Sequence, residues 1–162
     1  MFNKILIIIR HATRSKLNSE LSPLGRRQAE EIRKFTTKKG LTELKPLLLL
    51  SSPKIRCIQT LRPLADDLGV KVTVTEILDE QSRPESDGNF IRRIYRFYRW
   101  WRIQEVACCI ICTHGDWIPH FFQVVFKQNV ELPTGSLAIL SLAKNQNKMS
   151  IDRIIHSDEM VF

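Results

Sequence analysis

The sequence lacks any apolar run long enough to cross a membrane. Its apolar start at residues 5–9 is short, and it lies between Lys4 and Arg10 with no small-residue cleavage site after it. A membrane span needs about 20 apolar residues. We therefore expect no membrane span, no export signal and a cytoplasmic protein. Internal repeats, low-complexity segments and flexible linkers are also missing, so residues 1–162 are expected to form a single domain.

Cysteine is scarce, and its pattern does not complete a metal site. The four cysteines are Cys57, Cys108, Cys109 and Cys112. Cys109 and Cys112 have the C-x2-C spacing of a zinc ligand pair, but no second pair at zinc-finger spacing accompanies them. Three of the four lie in the apolar run VACCIICTH, which is typical of a buried strand. We expect reduced core cysteines, with no metal and no cofactor.

Negative charge is in short supply. The chain has 25 Lys and Arg residues against 17 Asp and Glu residues, which gives a formal charge of +8. This excess indicates anionic partners, but it does not distinguish among nucleic acid, a membrane surface and phosphorylated compounds.

Apolar runs alternate with amphipathic segments along the chain. Continuous runs rich in β-branched and other apolar residues predict strands at 4–9, 46–51, 70–78 and 106–112. Helices are predicted at 22–40, 52–69, 90–104 and 116–127, and a final hairpin-like pair at 136–143 and 148–155. This order predicts an α/β fold, a three-layer sandwich in which helices flank a mostly parallel central sheet.

Two of the predicted helices begin with the pair Ser-Pro. Ser22 and Ser52 are suited to cap these helices, and Pro23 and Pro53 are tolerated in a first turn. Pro63 lies inside the second of these helices, so we expect it to kink or divide that helix.

Polar side chains follow several of the predicted strands at their carboxyl ends, where ligands bind in such sheets. They are Arg10, His11, Ser51, Ser52, Arg56, Asp79, Glu80, Thr113, His114 and Asp116. Arginine forks match phosphate oxygens, a neutral imidazole can attack phosphorus, and a carboxylic acid can protonate a leaving oxygen. A metal site at His11, Cys112 and His114 is disfavoured, because the arginines would repel a cation.

Five motifs, in chain order, carry a resemblance to a known family. IIIRHATRS, LSPLGRRQAEEI, LLSSPKIRCIQT, ILDE and CTHGD resemble the histidine phosphatase superfamily, which is also called the phosphoglycerate mutase-like family. The resemblance covers residues 4–118, and it implies the phosphoglycerate mutase-like version of the α/β sandwich.

The resemblance also implies roles for individual residues. His11 would be the nucleophile that becomes phosphorylated, and Arg10 is its charge partner. Arg56 would clamp the phosphoryl group, and His114 would donate a hydrogen bond to it. Glu80 would be the proton donor. Three nearby carboxylates remain open as alternatives for that last role, namely Glu76, Asp79 and Glu85.

The sequence departs from the family pattern after the Arg-His pair. Ala12 replaces the common glycine, Thr13 stands where many members have glutamate, and Leu17 occupies an asparagine position, with Asn18 one place on. Arg14 lies in the same segment and is a candidate to replace the phosphate contacts that these changes remove.

Three further polar residues receive ordinary structural interpretations. Asp116 is predicted to cap the helix that follows it. His120 and His156 belong to no recognised motif, so we expect them to be surface or packing residues.

The implied reaction is metal-independent hydrolysis of phosphomonoesters or phosphoramidates through a phosphohistidine on His11. Only about 33 residues separate Glu80 from His114, and this compactness resembles the short SixA-type phosphohistidine phosphatases more than the mutases. A phosphorylated small molecule or a phosphoprotein is the expected substrate.

The segment NFIRRIYRFYRWWRIQ suggests alternative functions. It places Phe90, Ile94, Tyr98 and Trp101 on one helical face and Arg92, Arg96 and Arg99 on another. We expect a helix that packs on the sheet with a solvated arginine face. A nucleic-acid-binding protein that acts through residues 91–102 is one alternative, and contact with an anionic membrane is another. A non-catalytic phosphate-recognition module also remains open.

Overall fold

A six-stranded sheet forms the centre of the computed structural model, which describes residues 3–143 and 147–160. The strands are β1 (Lys4–Arg10), β2 (Leu47–Ser51), β3 (Val72–Val74), β4 (Cys108–Thr113), β5 (Leu137–Leu142) and β6 (Met149–Ile155). The helices are α1 (Pro23–Lys38), α2 (Ile55–Leu68), α3 (Asp87–Ile103) and α4 (Trp117–Phe126). Short 3-10 turns cover Leu41–Glu43, Glu76–Leu78 and Ser157–Met160.

The strand order is β3-β2-β4-β1-β5-β6. Strands β1, β4, β2 and β3 pair in parallel, whereas β5 runs antiparallel to both β1 and β6. The predicted mostly parallel sheet is therefore confirmed. β4 and β1 lie at its centre, and all six residues of β4 are buried, as expected for a strand that is covered on both faces.

Helices cover both faces of the sheet, which confirms the predicted three-layer sandwich. On one face, α3 and α4 contribute an aromatic core that includes Phe97, Trp117 and Phe121. On the other face, α1 and α2 contribute Ile32 and Leu61 to a second, largely aliphatic core. Burial of these apolar side chains from water is the main force that holds the helices on the sheet.

The third strand is shorter than the sequence predicts. β3 spans Val72–Val74 and pairs only with β2, and the chain then forms the 3-10 turn Glu76–Leu78. The side chain of Thr75 accepts a hydrogen bond from the Ile77 main-chain N–H at 3.4 Å and so caps this turn. An edge strand with one partner has few ladder bonds to extend it, so the local cap ends it early.

The two Ser-Pro helix starts differ. Ser22 caps α1 as predicted, since its Oγ accepts a hydrogen bond from the Gly25 N–H at 3.1 Å and Pro23 is the first helical residue. The same prediction is wrong for Ser52 and Pro53, because α2 begins only at Ile55. The hydroxyl of Ser52 is engaged by other side chains, as described below.

Pro63 does not divide α2, which contradicts that part of the sequence prediction, whereas a kink at this residue stays a prediction. The helix continues from Ile55 to Leu68 and ends at Gly69, whose φ of 61° is the left-handed conformation that glycine adopts readily. Proline removes one main-chain donor, and the burial of Leu61 and Leu64 on either side of it keeps the helix on the sheet.

The four cysteines are free and buried, three of them in β4, as the sequence predicts. Within residues 3–143 and 147–160, no helix is long and apolar enough to span a bilayer. The same residues contain no group of three or more His, Cys, Asp or Glu side chains arranged to hold a metal ion.

Candidate active site

The carboxyl ends of β1, β2 and β4 open into one pocket of about 710 Å³. The six residues that the sequence singles out as catalytic or phosphate-binding all line it: Arg10, His11, Arg14, Arg56, Glu80 and His114. The structure adds Thr13, Ser19, Lys54, Gly115, Asp116 and Thr134 to this lining. Because adjacent parallel strands end at the same edge of the sheet, residues far apart in the chain meet there.

His11 is held as a neutral imidazole with one free nitrogen. Its Nδ1 lies 2.9 Å from the main-chain oxygen of Ala12. A carbonyl oxygen can only accept, so Nδ1 carries the proton and Nε2 keeps its lone pair. The side chain is 8% exposed, and this burial, reinforced by the charge of Arg56, lowers the pKa of His11 to about 4. His11 is therefore uncharged near neutral pH.

Hydrogen bonds fix the segment that follows His11. The Ala12 N–H donates to Thr60 Oγ1 at 2.9 Å, and the Thr13 N–H donates to Gln28 Oε1 at 2.8 Å. The Thr13 carbonyl accepts from both the N–H and the hydroxyl of Ser22. This part of the site is consequently anchored to both α1 and α2.

Local packing explains why alanine is found at position 12 and glycine at position 25. The Ala12 side chain is buried against Leu21 and Ala29, so the departure from the family glycine is accommodated by packing. Gly25 lies so close to the segment that a Cβ atom there would be 2.0 Å from the Thr13 carbonyl oxygen. Only glycine lets the first turn of α1 approach the site this closely.

Two arginines supply donors to the pocket, of which Arg10 is partly buried and Arg56 is buried. Arg10 Nη1 donates to the Leu132 carbonyl at 2.8 Å, and Arg56 Nη2 donates to Glu80 Oε2 at 2.7 Å. Among the described residues, Nε of Arg10 and Nε of Arg56 are buried and have no hydrogen-bond partner. Gly115 leaves room for the Arg10 guanidinium, since a Cβ atom there would be 2.7 Å from Arg10 Cζ. These guanidinium groups match the oxygens of a phosphoryl group.

His114 is oriented by Ser52, which the sequence predicts to be a helix cap. His114 Nε2 lies 2.7 Å from Ser52 Oγ, and this hydroxyl donates to Asp79 Oδ1 at 3.2 Å. The other ring nitrogen, Nδ1, faces the pocket, 3.3 Å from Arg56 Nη2. The ring centroids of His11 and His114 are 5.4 Å apart. Ser52 could have been identified as a site residue from the sequence, because it comes directly after a buried strand.

Glu80 lines the pocket beside Arg56 and His114. Its carboxylate contacts Arg56 at 2.7 Å and the Lys54 ammonium at 3.7 Å. Burial raises the pKa of Glu80, but the Arg56 charge and the other positive groups nearby outweigh it, so the pKa lies below its usual value. Glu80 is therefore ionised in the site as it stands.

The alternative carboxylates occupy other positions. Asp79 Oδ1 accepts hydrogen bonds from Ser52 and from the Glu80 main-chain N–H. Glu85 binds the Arg93 guanidinium through both carboxylate oxygens. Glu76, Asp79, Glu80 and Glu85 line a separate hollow, and of these four Glu80 also lines the pocket with His11.

Arg93 and Asp116 hold the loop that carries Glu80. The Arg93 guanidinium donates to the main-chain carbonyls of residues 76, 77, 79 and 80, besides its pair of bonds to Glu85. Asp116 Oδ2 accepts a hydrogen bond from the Gln81 N–H at 2.9 Å. The prediction that Asp116 caps its helix with its side chain is wrong, since it makes no capping bond to α4 and restrains the Glu80 loop instead.

Arg14 and the two remaining histidines lie further out. Arg14 is exposed at the pocket mouth, and its role in phosphate binding stays a prediction. His120 packs its ring edge against Phe90 and donates from Nδ1 to the Asp116 carbonyl at 2.7 Å. His156 is exposed. The two histidines are packing and surface residues, as predicted.

Helix α3 matches the faces that the sequence predicts, with one addition. Phe90, Ile94 and Trp101 are buried and Tyr98 is partly buried, and Phe97 joins them in the core. The three arginines of the opposite face, Arg92, Arg96 and Arg99, are exposed.

Solved structures share this fold over nearly the whole chain. A mycobacterial glucosyl-3-phosphoglycerate phosphatase in complex with inorganic phosphate has a TM-score of 0.76 at 19% identity, covering 98% of this chain and 100% of its own. An Entamoeba histolytica phosphoserine phosphatase mutant in complex with phosphoserine has a TM-score of 0.75 at 16% identity, with the same coverage. A protein from Agrobacterium tumefaciens assigned as the phosphohistidine phosphatase SixA has a TM-score of 0.70 at 19% identity, covering 96% of this chain and 99% of its own.

The sequence itself matches the family description "Histidine phosphatase superfamily (branch 1)" over residues 6–109. Comparison with curated proteins gives no significant match. The matched range contains the Arg10-His11 pair, Arg56 and Glu80, and it ends just before His114, which the fold brings to the same pocket. The chain therefore belongs to the histidine phosphatase superfamily, branch 1, and is a phosphatase of that family.

Proposed function

We propose that this phosphatase hydrolyses phosphomonoesters or phosphoramidates in two steps, without a metal ion, through a phosphohistidine on His11. The observation that carries the proposal is the neutral His11, with its free Nε2, beside the unpaired Nε donors of Arg10 and Arg56. An uncharged imidazole nucleophile next to fixed cations is the arrangement that in-line attack on a phosphate dianion requires.

In the first step, His11 Nε2 attacks phosphorus while the bond from phosphorus to the leaving oxygen or nitrogen breaks. The phosphoryl oxygens accept hydrogen bonds from Arg10 and Arg56. They also accept one from the Nδ1–H of His114, which requires that the Ser52 hydroxyl donates to Nε2 of that ring in place of Asp79. These bonds offset the charge of the transferring group. The leaving atom takes a proton from Glu80. The products are the free alcohol or amine, phosphohistidine and the Glu80 carboxylate.

In the second step, the Glu80 carboxylate removes a proton from water, and the water oxygen attacks phosphorus. The bond between phosphorus and His11 Nε2 breaks, and inorganic phosphate leaves. His11 and protonated Glu80 are thereby regenerated for the next cycle.

Substrate binding lets Glu80 take up from solvent the proton that the first step needs. In the structure, the Arg56 guanidinium and its cationic neighbours hold Glu80 in its ionised form. A bound phosphate dianion draws Arg56 to itself and adds negative charge beside the carboxylate, and both changes raise the pKa of Glu80. The carboxyl group is then protonated when the leaving group departs.

The substrate is a phosphorylated small molecule or a phosphoprotein. The pocket has a volume of about 710 Å³ and opens to solvent, which supports either class of substrate. The four free, buried cysteines support a reducing compartment such as the cytoplasm.

The test is hydrolysis of p-nitrophenyl phosphate in the presence of a metal chelator. Wild type is expected to remain active, and His11→Ala to lose at least about a thousandfold in kcat. His120→Ala is the matched control, because His120 packs outside the pocket and should retain activity. Rapid quenching with labelled substrate should trap an acid-labile phosphoryl group on wild type and none on His11→Ala. Wild-type turnover in His11→Ala, or loss of wild-type activity with chelator, would refute the mechanism.

A further inference from the structure

The outward face of α3 mixes arginines with apolar side chains. We call it the α3 surface, and it comprises Arg92, Tyr95, Arg96, Arg99, Trp100 and Ile103, which together line one shallow hollow of about 470 Å³. Arg92, Arg96, Arg99 and Ile103 are spaced by four, three and four residues, so they form one stripe along the helix. Tyr95 and Trp100 flank this stripe.

The apolar members of the α3 surface are unusually open to water. Ile103 is 79% exposed, Tyr95 is 46% exposed and Trp100 is 37% exposed. The buried side of the same helix already supplies its apolar contacts to the sheet. Exposed apolar side chains that are grouped on one face, rather than scattered, indicate a contact surface.

The arginines of the α3 surface lack acidic partners. Arg92 donates from Nε to the Gly88 carbonyl at 3.3 Å. Across residues 3–143 and 147–160, the guanidinium groups of Arg96 and Arg99 form no hydrogen bond or ion pair. Their neighbour Arg93, in contrast, is fully engaged by the Glu80 loop. The surface therefore presents unneutralised positive charge on a chain whose formal charge is already +8.

We propose that the α3 surface docks the protein on an anionic lipid bilayer. Lipid phosphates accept hydrogen bonds from the arginine guanidinium groups, while Trp100 and Ile103 enter the boundary between headgroups and acyl chains. A nucleic acid would also satisfy the arginines, but it offers no apolar phase for Ile103, the most exposed apolar member of the surface. Charge and exposed apolar area together therefore favour a bilayer. This inference is independent of the catalytic assignment.

The experiment is co-sedimentation of the full chain with lipid vesicles. Wild type should sediment with vesicles of equal parts phosphatidylcholine and phosphatidylglycerol, and should remain in solution with phosphatidylcholine alone. The triple variant R92E/R96E/R99E should bind the anionic vesicles more than about tenfold less strongly. The control R26E/R27E/R62E changes the net charge equally on the opposite layer of the fold, and it should retain most of the binding.

A second variant separates the apolar contribution from the charge. Ile103→Ser removes the exposed side chain without opening the core, and it should reduce binding severalfold while p-nitrophenyl phosphate hydrolysis stays unchanged. The proposal is overturned if wild type ignores anionic vesicles or if the two triple variants lose binding equally. It is also overturned if the α3 surface binds a random DNA duplex in place of vesicles.

Discussion

Replacing Arg93 by methionine is expected to loosen the loop that carries Glu80. The Arg93 guanidinium donates to four main-chain carbonyls of that loop and to both carboxylate oxygens of Glu85. Methionine keeps an unbranched stem of similar length but offers no donor. The carbonyls and the Glu85 carboxylate, whose pKa is lowered chiefly by the hydrogen bond from Arg93, would lose their partner.

The size of the effect follows from the number and burial of these bonds. Hydrogen bonds to charged groups contribute about 1.5–3 kcal/mol each, and breaking a buried ion pair costs about 3–5 kcal/mol. The Arg93 and Glu85 side chains are 18% and 16% exposed, so water replaces part of what is lost, and the bonds do not add independently. We expect the free energy of unfolding to fall by about 2–4 kcal/mol.

Two assays read out this change. Urea denaturation followed by tryptophan fluorescence measures the free energy of unfolding. Steady-state kinetics should compare p-nitrophenyl phosphate, whose leaving group departs without a proton, with glycerol phosphate, whose alkoxide needs the proton of Glu80. Because the loop is loosened, Arg93→Met should lose about tenfold or more in kcat for glycerol phosphate and much less for p-nitrophenyl phosphate.

Arg96→Met is the matched control for this experiment. Arg96 lies on the same helix and is exposed, and it makes no hydrogen bond or ion pair with the described part of the chain. Its replacement should leave the unfolding free energy and the ratio of the two kcat values unchanged. If Arg93→Met behaves like Arg96→Met in both assays, the reasoning about the loop is refuted.

Two further predictions concern His11 and Gly25. The kcat/KM of wild type should fall as pH drops through about 4, once it is expressed per concentration of substrate dianion, because the substrate phosphate itself titrates at about pH 6. His11, with its pKa lowered to about 4 from 6.5, then gains a proton and loses its lone pair. A pH–rate series with circular dichroism at each point checks this, and a limb near 6.5 that remains after the substrate correction would contradict it. Gly25→Ala should lower the free energy of unfolding by about 2 kcal/mol or more and reduce kcat, because the new Cβ would lie 2.0 Å from the Thr13 carbonyl oxygen. Gly88→Ala is the control, because nothing lies within 4 Å of a Cβ atom at that position. Its free energy of unfolding, measured by urea denaturation, should be unchanged or slightly higher. Equal behaviour of the two variants would contradict the argument that α1 closely approaches the Thr13 carbonyl.

The order of strands and helices could be predicted from the sequence because it depends on local patterns. The continuous apolar runs of β1 and β4 predict strands covered on both faces, and β1 and β4 are the central pair of the sheet. Ser22 caps α1 through a bond to Gly25, three residues away. The predicted cap at Ser52 and the predicted division of α2 at Pro63 are wrong, since contacts with distant residues override the local preference at both positions. The third strand is shorter than predicted, because it lies at the edge of the sheet and the local Thr75 cap ends it.

The principal residues of the candidate site could be predicted from the sequence, whereas the residues that hold them in position could not. Arg10, His11, Arg56, Glu80 and His114 follow strands that end at one edge of the sheet, so topology alone brings them together. Their supporting partners carry no comparable sequence pattern, since serine, aspartate and arginine are common at every surface. Arg93, for example, differs from its exposed neighbours only by the side of α3 on which it lies.

The sequence by itself determined the alternation of elements, the two faces of α3 and the residues that reach the pocket. The tertiary structure alone decided how those residues are held. Ser52 contacts His114 across 62 positions of sequence, and Arg93 binds the Glu80 loop from 13 or more positions away. Hydrogen bonds of this kind depend on atomic distances and burial, which appear only when the chain is folded. The same folding lowers the pKa of His11 and leaves Arg96 and Arg99 without a partner among the described residues.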